Sequence, residues 1–132
     1  MEFYSQLHTL LCHDATGRGL AQAAPAPDFG ALTGSLLSVK RAVILTGFPV
    51  NCGGVFRGET DGPGGAANLA RALMAVDCRV TLLTDAVSLP MVRAAASCLA
   101  PGTKVVCLPP EETKVFAESL LERLRPPHFF TI

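Results

Sequence analysis

The sequence predicts an α/β fold built around a mostly parallel sheet. Apolar, β-branched runs alternate along the chain with segments whose apolar residues recur at helical spacing. This alternation is typical of parallel strands joined by crossover helices. The chain is also 49% hydrophobic and only 17% charged, as expected of a sheet that helices cover on both faces. We therefore expect a Rossmann-like three-layer sandwich with about four strands.

Four short apolar runs are the predicted strands. They are Ala42–Thr46, Arg79–Thr84, Lys104–Leu108 and His128–Ile132. The fourth run brings the chain to its end inside an apolar strand, with no helix after it to cover the sheet. We therefore expect a truncated domain, part of something larger. We also expect self-association, because an uncovered edge strand exposes unpaired backbone groups and apolar surface.

Five segments carry apolar residues at the spacing of a helix. They are Phe3–Cys12, Phe29–Val39, Ala66–Ala75, Ser88–Leu99 and Glu111–Leu124. The first two precede the first strand, so residues 1–40 are predicted to be a helical lead-in and residues 41–132 a βαβαβαβ core. From Gly47 to Gly64 neither a helical nor a strand period occurs. This stretch is predicted to be a long loop, and such a loop in a compact domain is usually functional or disordered.

Composition argues against several classes of function. Eleven basic and eleven acidic residues cancel, and no basic block stands out, so we expect no nucleic-acid partner. The apolar runs are too short to span a bilayer, and no membrane partner is predicted. The five cysteines are widely spread without a Cys-x-x-Cys pair, and the histidines lack metal-ligand spacing. We therefore expect a reducing compartment, no metal site and no cofactor.

The chemistry is concentrated in one stretch, Gly58–Ala66, which we call the acidic glycine segment. Glu59 and Asp61 are a carboxylate pair able to bind an ammonium group or transfer its protons, and we take them as catalytic candidates. The hydroxyl of Thr60 lies between them and is a candidate substrate ligand. The alternative is that Thr60 or Asp61 only caps the following helix. The residues alone leave both interpretations open.

Further substrate-binding candidates lie in and near this segment. Gly62, Gly64 and Gly65 allow the backbone to approach a ligand closely at a helix start, where free N–H groups are available. Thr46 and Gly47 follow the first strand, and these strand ends form the edge where ligands bind in parallel α/β sheets. Asp85 follows the second strand and is a further candidate. Capping of the next helix is the favoured alternative for it.

The pattern Gly62-x-Gly64-x-x-Ala67 formally fits the dinucleotide-binding fingerprint. The true fingerprint lies directly after the first strand, whereas Gly62 lies sixteen positions after Thr46. No phosphate-binding lysine of the P-loop kind follows. A nucleotide-binding Rossmann domain is therefore kept only as the last alternative.

Several stretches together resemble the D-glutamate cyclase C-terminal-like domain. They are Thr46-Gly47-Phe48-Pro49-Val50, the acidic glycine segment, Val80-Thr81-Leu82-Leu83-Thr84-Asp85, His13-Asp14-Ala15-Thr16-Gly17-Arg18-Gly19 and Phe129-Phe130-Thr131-Ile132. The likeness covers essentially the whole chain, and Glu-Thr-Asp-Gly-Pro is its most specific part. Gly64 is a departure, since the family pattern leads us to expect proline there. The family's domain also continues past the position of Ile132, so the resemblance implies an N-terminal portion of it.

The resemblance implies a hydro-lyase of D-amino acid metabolism that interconverts D-glutamate with 5-oxo-D-proline and water. Glu59 or Asp61 would bind the substrate's ammonium group and act as the base, and backbone N–H groups of Gly62–Gly65 would stabilise the oxyanion. The resemblance also implies the mitochondrial matrix. Because no transit peptide is visible, the cytoplasm is the alternative. The alternative function is a non-catalytic ligand-binding or interaction fragment of the same fold.

Overall fold

The structure is a computed structural model that describes residues 2–11, 13, 15–17, 19, 28–109, 113–125 and 128–132. Asp14 and Arg18 of the resembling N-terminal stretch lie outside the described residues. So do Cys12, the predicted end of the first helix, and Glu111, the predicted start of the last. The chain divides into two compact units, Met1–Ser38 and Val39–Ile132.

Among its described residues, the first unit contains two helices, α1 (Glu2–Leu11) and α2 (Phe29–Ser38), in agreement with the sequence prediction. The ring of Tyr4 stacks on that of Phe29, with the ring centroids 6.5 Å apart. The backbone N–H of Ala31 donates to Oδ1 of Asp28 at 2.9 Å. This is the capping bond that an aspartate before a helix supplies to one of its otherwise unpaired N–H groups.

The described residues of the second unit form the main sheet, a hairpin and three helices. In chain order its elements are β1 (Arg41–Leu45), β2 (Val50–Cys52), β3 (Val55–Arg57), α3 (Asp61–Met74), β4 (Arg79–Thr84), α4 (Leu89–Leu99), β5 (Lys104–Cys107), α5 (Thr113–Leu124) and β6 (His128–Thr131). The main sheet has the strand order β5-β4-β1-β6, and every pairing in it is parallel. The predicted Rossmann-like α/β class with four parallel strands is confirmed.

The strand order reverses at β1. From β1 the chain moves outward to β4 and β5, and it then crosses back to place β6 on the other side of β1. Two hydrogen bonds continue the ladder beyond the strand ends: the N–H of Thr46 donates to Leu83 O, and that of Ile132 donates to Leu45 O. The point where the strand order changes direction therefore lies between β1 and β6, at the strand ends marked by Thr46 and Ile132. In open α/β sheets the crevice at such a point is where ligands bind.

The two faces of the sheet are packed by different helices. On one face Val43 and Leu83 are buried against Leu120 of α5, and Phe116 and Leu124 complete this cluster. The residues that alternate with them along the strands, such as Ile44 and Leu82, point to the opposite face and are fully buried. Helices α3 and α4 contact the strands there and each other. Each large buried side chain contributes about 1.5–3 kcal/mol relative to leaving it exposed.

The prediction of a long loop from Gly47 to Gly64 is wrong in two places. Strands β2 and β3 form an antiparallel hairpin whose turn residues, Gly53 and Gly54, have φ values of 63° and 88°. Glycine pairs are favoured in such two-residue turns because both positions need a positive φ. All six hairpin residues are exposed, so there is no apolar alternation to reveal the strands.

The start of α3 was also predicted too late. The helix begins at Asp61 rather than at Ala66, so most of the acidic glycine segment belongs to its first turns. Pro63 is compatible with this start because the first N–H groups of a helix have no partner within the helix. The helical period is visible only from Ala66 because glycines, which carry no side chain, occupy the preceding turn.

The fourth strand lies at an edge of the sheet, as predicted, because β1 is the single partner of β6 among the described strands. The side chain of Phe129 on this strand is 47% exposed. Self-association through this edge stays a prediction. Within the described part of the chain, no helix has the length and apolar character needed to cross a membrane.

Candidate functional site

The carboxyl edge of the sheet brings together residues that are far apart in the sequence. Thr46 and Gly47 follow β1, while Thr84 ends β4 and is followed by Asp85. Because β1 and β4 are parallel neighbours in register, with Leu45 beside Leu83, these two strand ends lie side by side. Ile132 follows β6 on the other flank of β1. The edge is thus formed by three adjacent strand ends, as the sequence predicted for Thr46, Gly47 and Asp85.

Gly47 is the most tightly enclosed residue of this edge. Its φ of 131° is one that other residues rarely adopt. A Cβ added to it would lie 2.5 Å from Oδ2 of Asp85, 2.7 Å from Oγ1 of Thr84 and 3.0 Å from Cβ of Ser88. Only glycine therefore fits here, both for its backbone conformation and for its space. Gly58 approaches the same serine, since its added Cβ would lie 3.0 Å from Oγ of Ser88.

Three buried hydroxyl groups surround these glycines, and we call them the hydroxyl cluster: Thr46, Thr84 and Ser88. Their relative exposures are 1%, 0% and 0%. Among the described residues, none of the three hydroxyl oxygens has a hydrogen-bond partner. A buried polar group without a partner costs about 1–3 kcal/mol. Three such groups at one edge leave hydrogen-bonding capacity unused next to the strand ends.

The first turn of α3 lies against the same edge. A Cβ added to Gly62 would lie 3.0 Å from Oγ1 of Thr46 and 3.4 Å from the carbonyl oxygen of Ile132. A Cβ added to Gly65 would lie 3.4 Å from Cγ2 of Ile132, whereas one added to Gly64 would meet nothing within 4 Å. Gly62 and Gly65 therefore allow close approach of the helix to the strand ends. The positive end of the helix dipole consequently lies beside the hydroxyl of Thr46.

Glu59, Thr60 and Asp61 are exposed beside this edge. Thr60 occupies the N-cap position of α3, but its side chain makes no capping hydrogen bond. Oδ1 of Asp61 accepts a hydrogen bond from the N–H of Gly62 at 3.0 Å. The carboxylate of Glu59 makes no hydrogen bond or ion pair with another residue of the described ranges. Both acids are thus accessible to an ammonium group, although one oxygen of Asp61 also serves the helix start.

Asp85 does not cap the next helix, the alternative that the sequence left open for it: Ser88 is the N-cap residue of α4, and Asp85 closes the turn before it. Its Oδ1 accepts hydrogen bonds from the N–H groups of Val87 and Ser88, at 2.8 and 2.9 Å. These bonds hold the turn that carries Ser88, and they thereby place one member of the hydroxyl cluster. A direct role of Asp85 in binding substrate stays a prediction.

Three residues of the site were given no binding role from the sequence: Gly58, Thr84 and Ser88. Thr84 was assigned to its strand and Ser88 to the start of its helix, so neither was considered as a polar ligand. Thr84 is recognisable afterwards as the counterpart of Thr46, since each is a threonine at the carboxyl end of a neighbouring strand. Groups of three or more histidine, cysteine or acidic residues able to hold a metal ion are absent from the described part of the chain.

Comparison with known families assigns the chain. The family model described as D-glutamate cyclase-like, C-terminal, matches residues 7–123 of the 132. The match includes the acidic glycine segment, the hydroxyl cluster and the three strands β1, β4 and β5. Comparisons with curated proteins and with solved structures gave no significant match. The chain belongs to the D-glutamate cyclase-like, C-terminal family.

Proposed function

We propose that the carboxyl edge binds D-glutamate and its cyclic product, and that it carries out the D-glutamate cyclase type of lyase reaction. In this reaction D-glutamate loses water to form 5-oxo-D-proline. The proposal is supported by membership of the family and by one observation above all, the three buried hydroxyls without partners. The mitochondrial matrix is proposed as its compartment, on the resemblance alone, with the cytoplasm as the alternative.

The reaction requires an acceptor and a donor of protons. The α-amine nitrogen attacks the γ-carboxyl carbon, so a C–N bond forms and a C–O bond breaks. The ammonium nitrogen gives up two protons, and both end on the departing oxygen, which leaves as water. Glu59 and Asp61 are exposed carboxylates at the site, and we assign them to bind the ammonium group and to transfer these protons.

The hydroxyl cluster suits the carboxylate end of the substrate. Hydroxyls donate hydrogen bonds to carboxylate oxygens without adding charge, and donation to an ionised acceptor is about twice as strong as between neutral groups. The N-terminal end of α3 adds a partial positive charge at the same place. A developing oxyanion would be stabilised by the same groups. The acids and the hydroxyls thus address opposite ends of an amino acid.

The direct test is formation of 5-oxo-D-proline from D-glutamate by Glu59→Gln and Asp61→Asn variants. If these groups transfer the protons, turnover falls by about 100-fold or more for at least one of them. Glu118→Gln, which changes an exposed carboxylate on α5, is the matched control and retains activity. Unchanged turnover in both site variants would contradict the assignment.

Binding without turnover is the second candidate function. It is favoured by the exposure of both carboxylates, since a site that is open to water does not shield a dehydration step. Calorimetry with D-glutamate, L-glutamate and 5-oxo-D-proline distinguishes the two functions. Saturable binding of D-glutamate with no product supports a binding module. Product formed only by a chain extended beyond Ile132 supports a lyase whose site is completed by the added segment.

A further inference from the structure

A second cluster of charged groups lies at the opposite, amino edge of the sheet. A cavity of about 230 Å³ is lined there by four cationic side chains: Arg41, Arg79, Lys104 and Arg123. The first three are the initial residues of β1, β4 and β5. Arg123 comes from the last turn of α5. We call this place the cationic cavity.

The sheet register explains why these cations converge. Arg41 lies directly beside Arg79, and Lys104 lies beside Thr81, two residues after Arg79. Because side chains alternate along a strand, Arg79 and Thr81 share a face, and all of these residues project from the face that α5 covers. The register of β1, β4 and β5 thus places three positive charges next to the last turn of α5.

These charges are not compensated within the described part of the chain. None of the four cationic side chains forms a hydrogen bond or an ion pair with another described residue. Like charges on directly opposed strand positions are destabilising. The chain has equal numbers of acidic and basic residues. The four cations therefore do not lie together merely because the chain has an excess of basic residues.

A hydroxyl group completes the lining. Thr81 is only 9% exposed, and its side chain has no hydrogen-bond partner among the described residues. It contributes a neutral donor beside the charged ones, and the side chains of Val43 and Leu124 supply apolar walls. Four cations and a hydroxyl, which can donate as well as accept, thus line a cavity whose described lining includes no anionic side chain.

We propose that the cationic cavity binds a small, multiply charged oxyanion of the phosphate type. Three of the four cations are arginines, whose planar forks match the oxygen geometry of phosphate. The volume of about 230 Å³ is below the range of about 300–1,000 Å³ that holds drug-sized ligands, so the ligand is small. This binding site is separate from the carboxyl edge, because the strands run between the two.

A purely structural explanation covers only part of the cluster. Arg123 in the last turn of α5 compensates the negative end of that helix. This does not account for Thr81, nor for the cations that begin three neighbouring strands. The structural explanation predicts that neutralising Arg123 lowers stability with or without an anion, whereas the proposed site predicts that neutralising any of the four cations weakens anion binding.

The test is calorimetric titration of the full 132-residue chain with pyrophosphate, inorganic phosphate and succinate, at low and at moderate ionic strength. Pyrophosphate is expected to bind saturably and more tightly than succinate. Arg41→Gln and Arg79→Gln are expected to weaken it about tenfold or more each, as for loss of a charge-assisted hydrogen bond. Thr81→Val removes the hydroxyl without changing charge and is expected to weaken binding several-fold.

Arg71→Gln is the matched control. Arg71 is an exposed arginine on α3 that does not line the cavity, so its loss lowers the net charge equally and leaves pyrophosphate affinity within about twofold. The proposal is overturned if pyrophosphate does not bind saturably. It is also overturned if Arg71→Gln weakens binding as much as Arg41→Gln does, because the effect would then be general electrostatics.

Discussion

The two edges of one parallel sheet present opposite chemistry. At the carboxyl edge, glycines and buried neutral hydroxyls pack closely, and exposed carboxylates lie beside them. At the amino edge, long cationic side chains surround an open cavity. The same register produces both, because parallel strands bring all their last residues to one edge and all their first residues to the other.

The crossover helices reinforce this difference. Helix α3 begins at the carboxyl edge beside Thr46, and it must end near the amino edge because it leads back to the start of the next parallel strand. The positive end of its dipole therefore lies at the edge with hydroxyls and acids, and its negative end at the edge with cations. Each edge therefore has its own helix-end charge and its own set of side chains, and we expect substitutions at one edge to leave the other unaffected.

The largest expected effect is that of Gly47→Ala. The φ of 131° strains any side chain, and the new Cβ would lie 2.5 Å from Asp85. We expect the free energy of unfolding to fall by about 3 kcal/mol or more, from strain and overpacking together. Chemical denaturation measures it. Gly54→Ala is the control for strain alone, because Gly54 has a φ of 88° with nothing within 4 Å, and an equal loss there would contradict the crowding at Gly47.

The next largest effect is that of Thr46→Val, which tests whether the two edges bind ligands independently. Thr46→Val keeps the shape of a buried side chain and removes a hydroxyl that has no partner in the described part of the chain. We expect the free energy of unfolding to stay constant or to rise by about 1 kcal/mol, and D-glutamate affinity to fall about tenfold. Thr81→Val makes the same change at the amino edge. D-glutamate affinity that falls equally in both variants would show that the edges do not act separately.

Much of the fold follows from the sequence because the strands are continuous apolar runs. Arg79–Thr84 was predicted with its observed bounds, since a run of apolar and β-branched residues ends there at Asp85. The hairpin was missed for the opposite reason. Its residues are exposed on both faces, so burial imposes no alternation, and only the pair Gly53-Gly54 marks it.

The sequence predicted only those site residues that stand out in an unusual local composition. Glycines and acids beside one another drew attention to Glu59, Asp61 and Gly62. The need for glycine at Gly47 comes from Asp85 and Ser88, which are about forty positions away in the sequence. Whether a buried hydroxyl has a partner depends on the packing of several elements, and no local pattern reports it.

The smallest expected effect concerns Cys78, which is buried next to the first residue of β4. Burial raises the pKa of its thiol above the ordinary value of 9.0, and the charge of Lys40 partly opposes this. The unfolded thiol thus loses its proton at a lower pH than the folded one. Its contribution to stability is fully present below about pH 9 and is lost as the pH rises through the folded pKa.

Unfolding measured from pH 8 to pH 11 should therefore show a decline at the alkaline end that is smaller in Cys78→Ala. Alkylation gives an independent measure, since the thiol of Cys78 should react more slowly than that of Cys98, which is exposed. Cys98→Ala is the matched control and should leave the alkaline decline unchanged. If Cys78→Ala and Cys98→Ala show the same pH dependence of unfolding, burial does not raise the pKa of Cys78. The positive charge of Lys40 would then offset the effect of burial at this thiol.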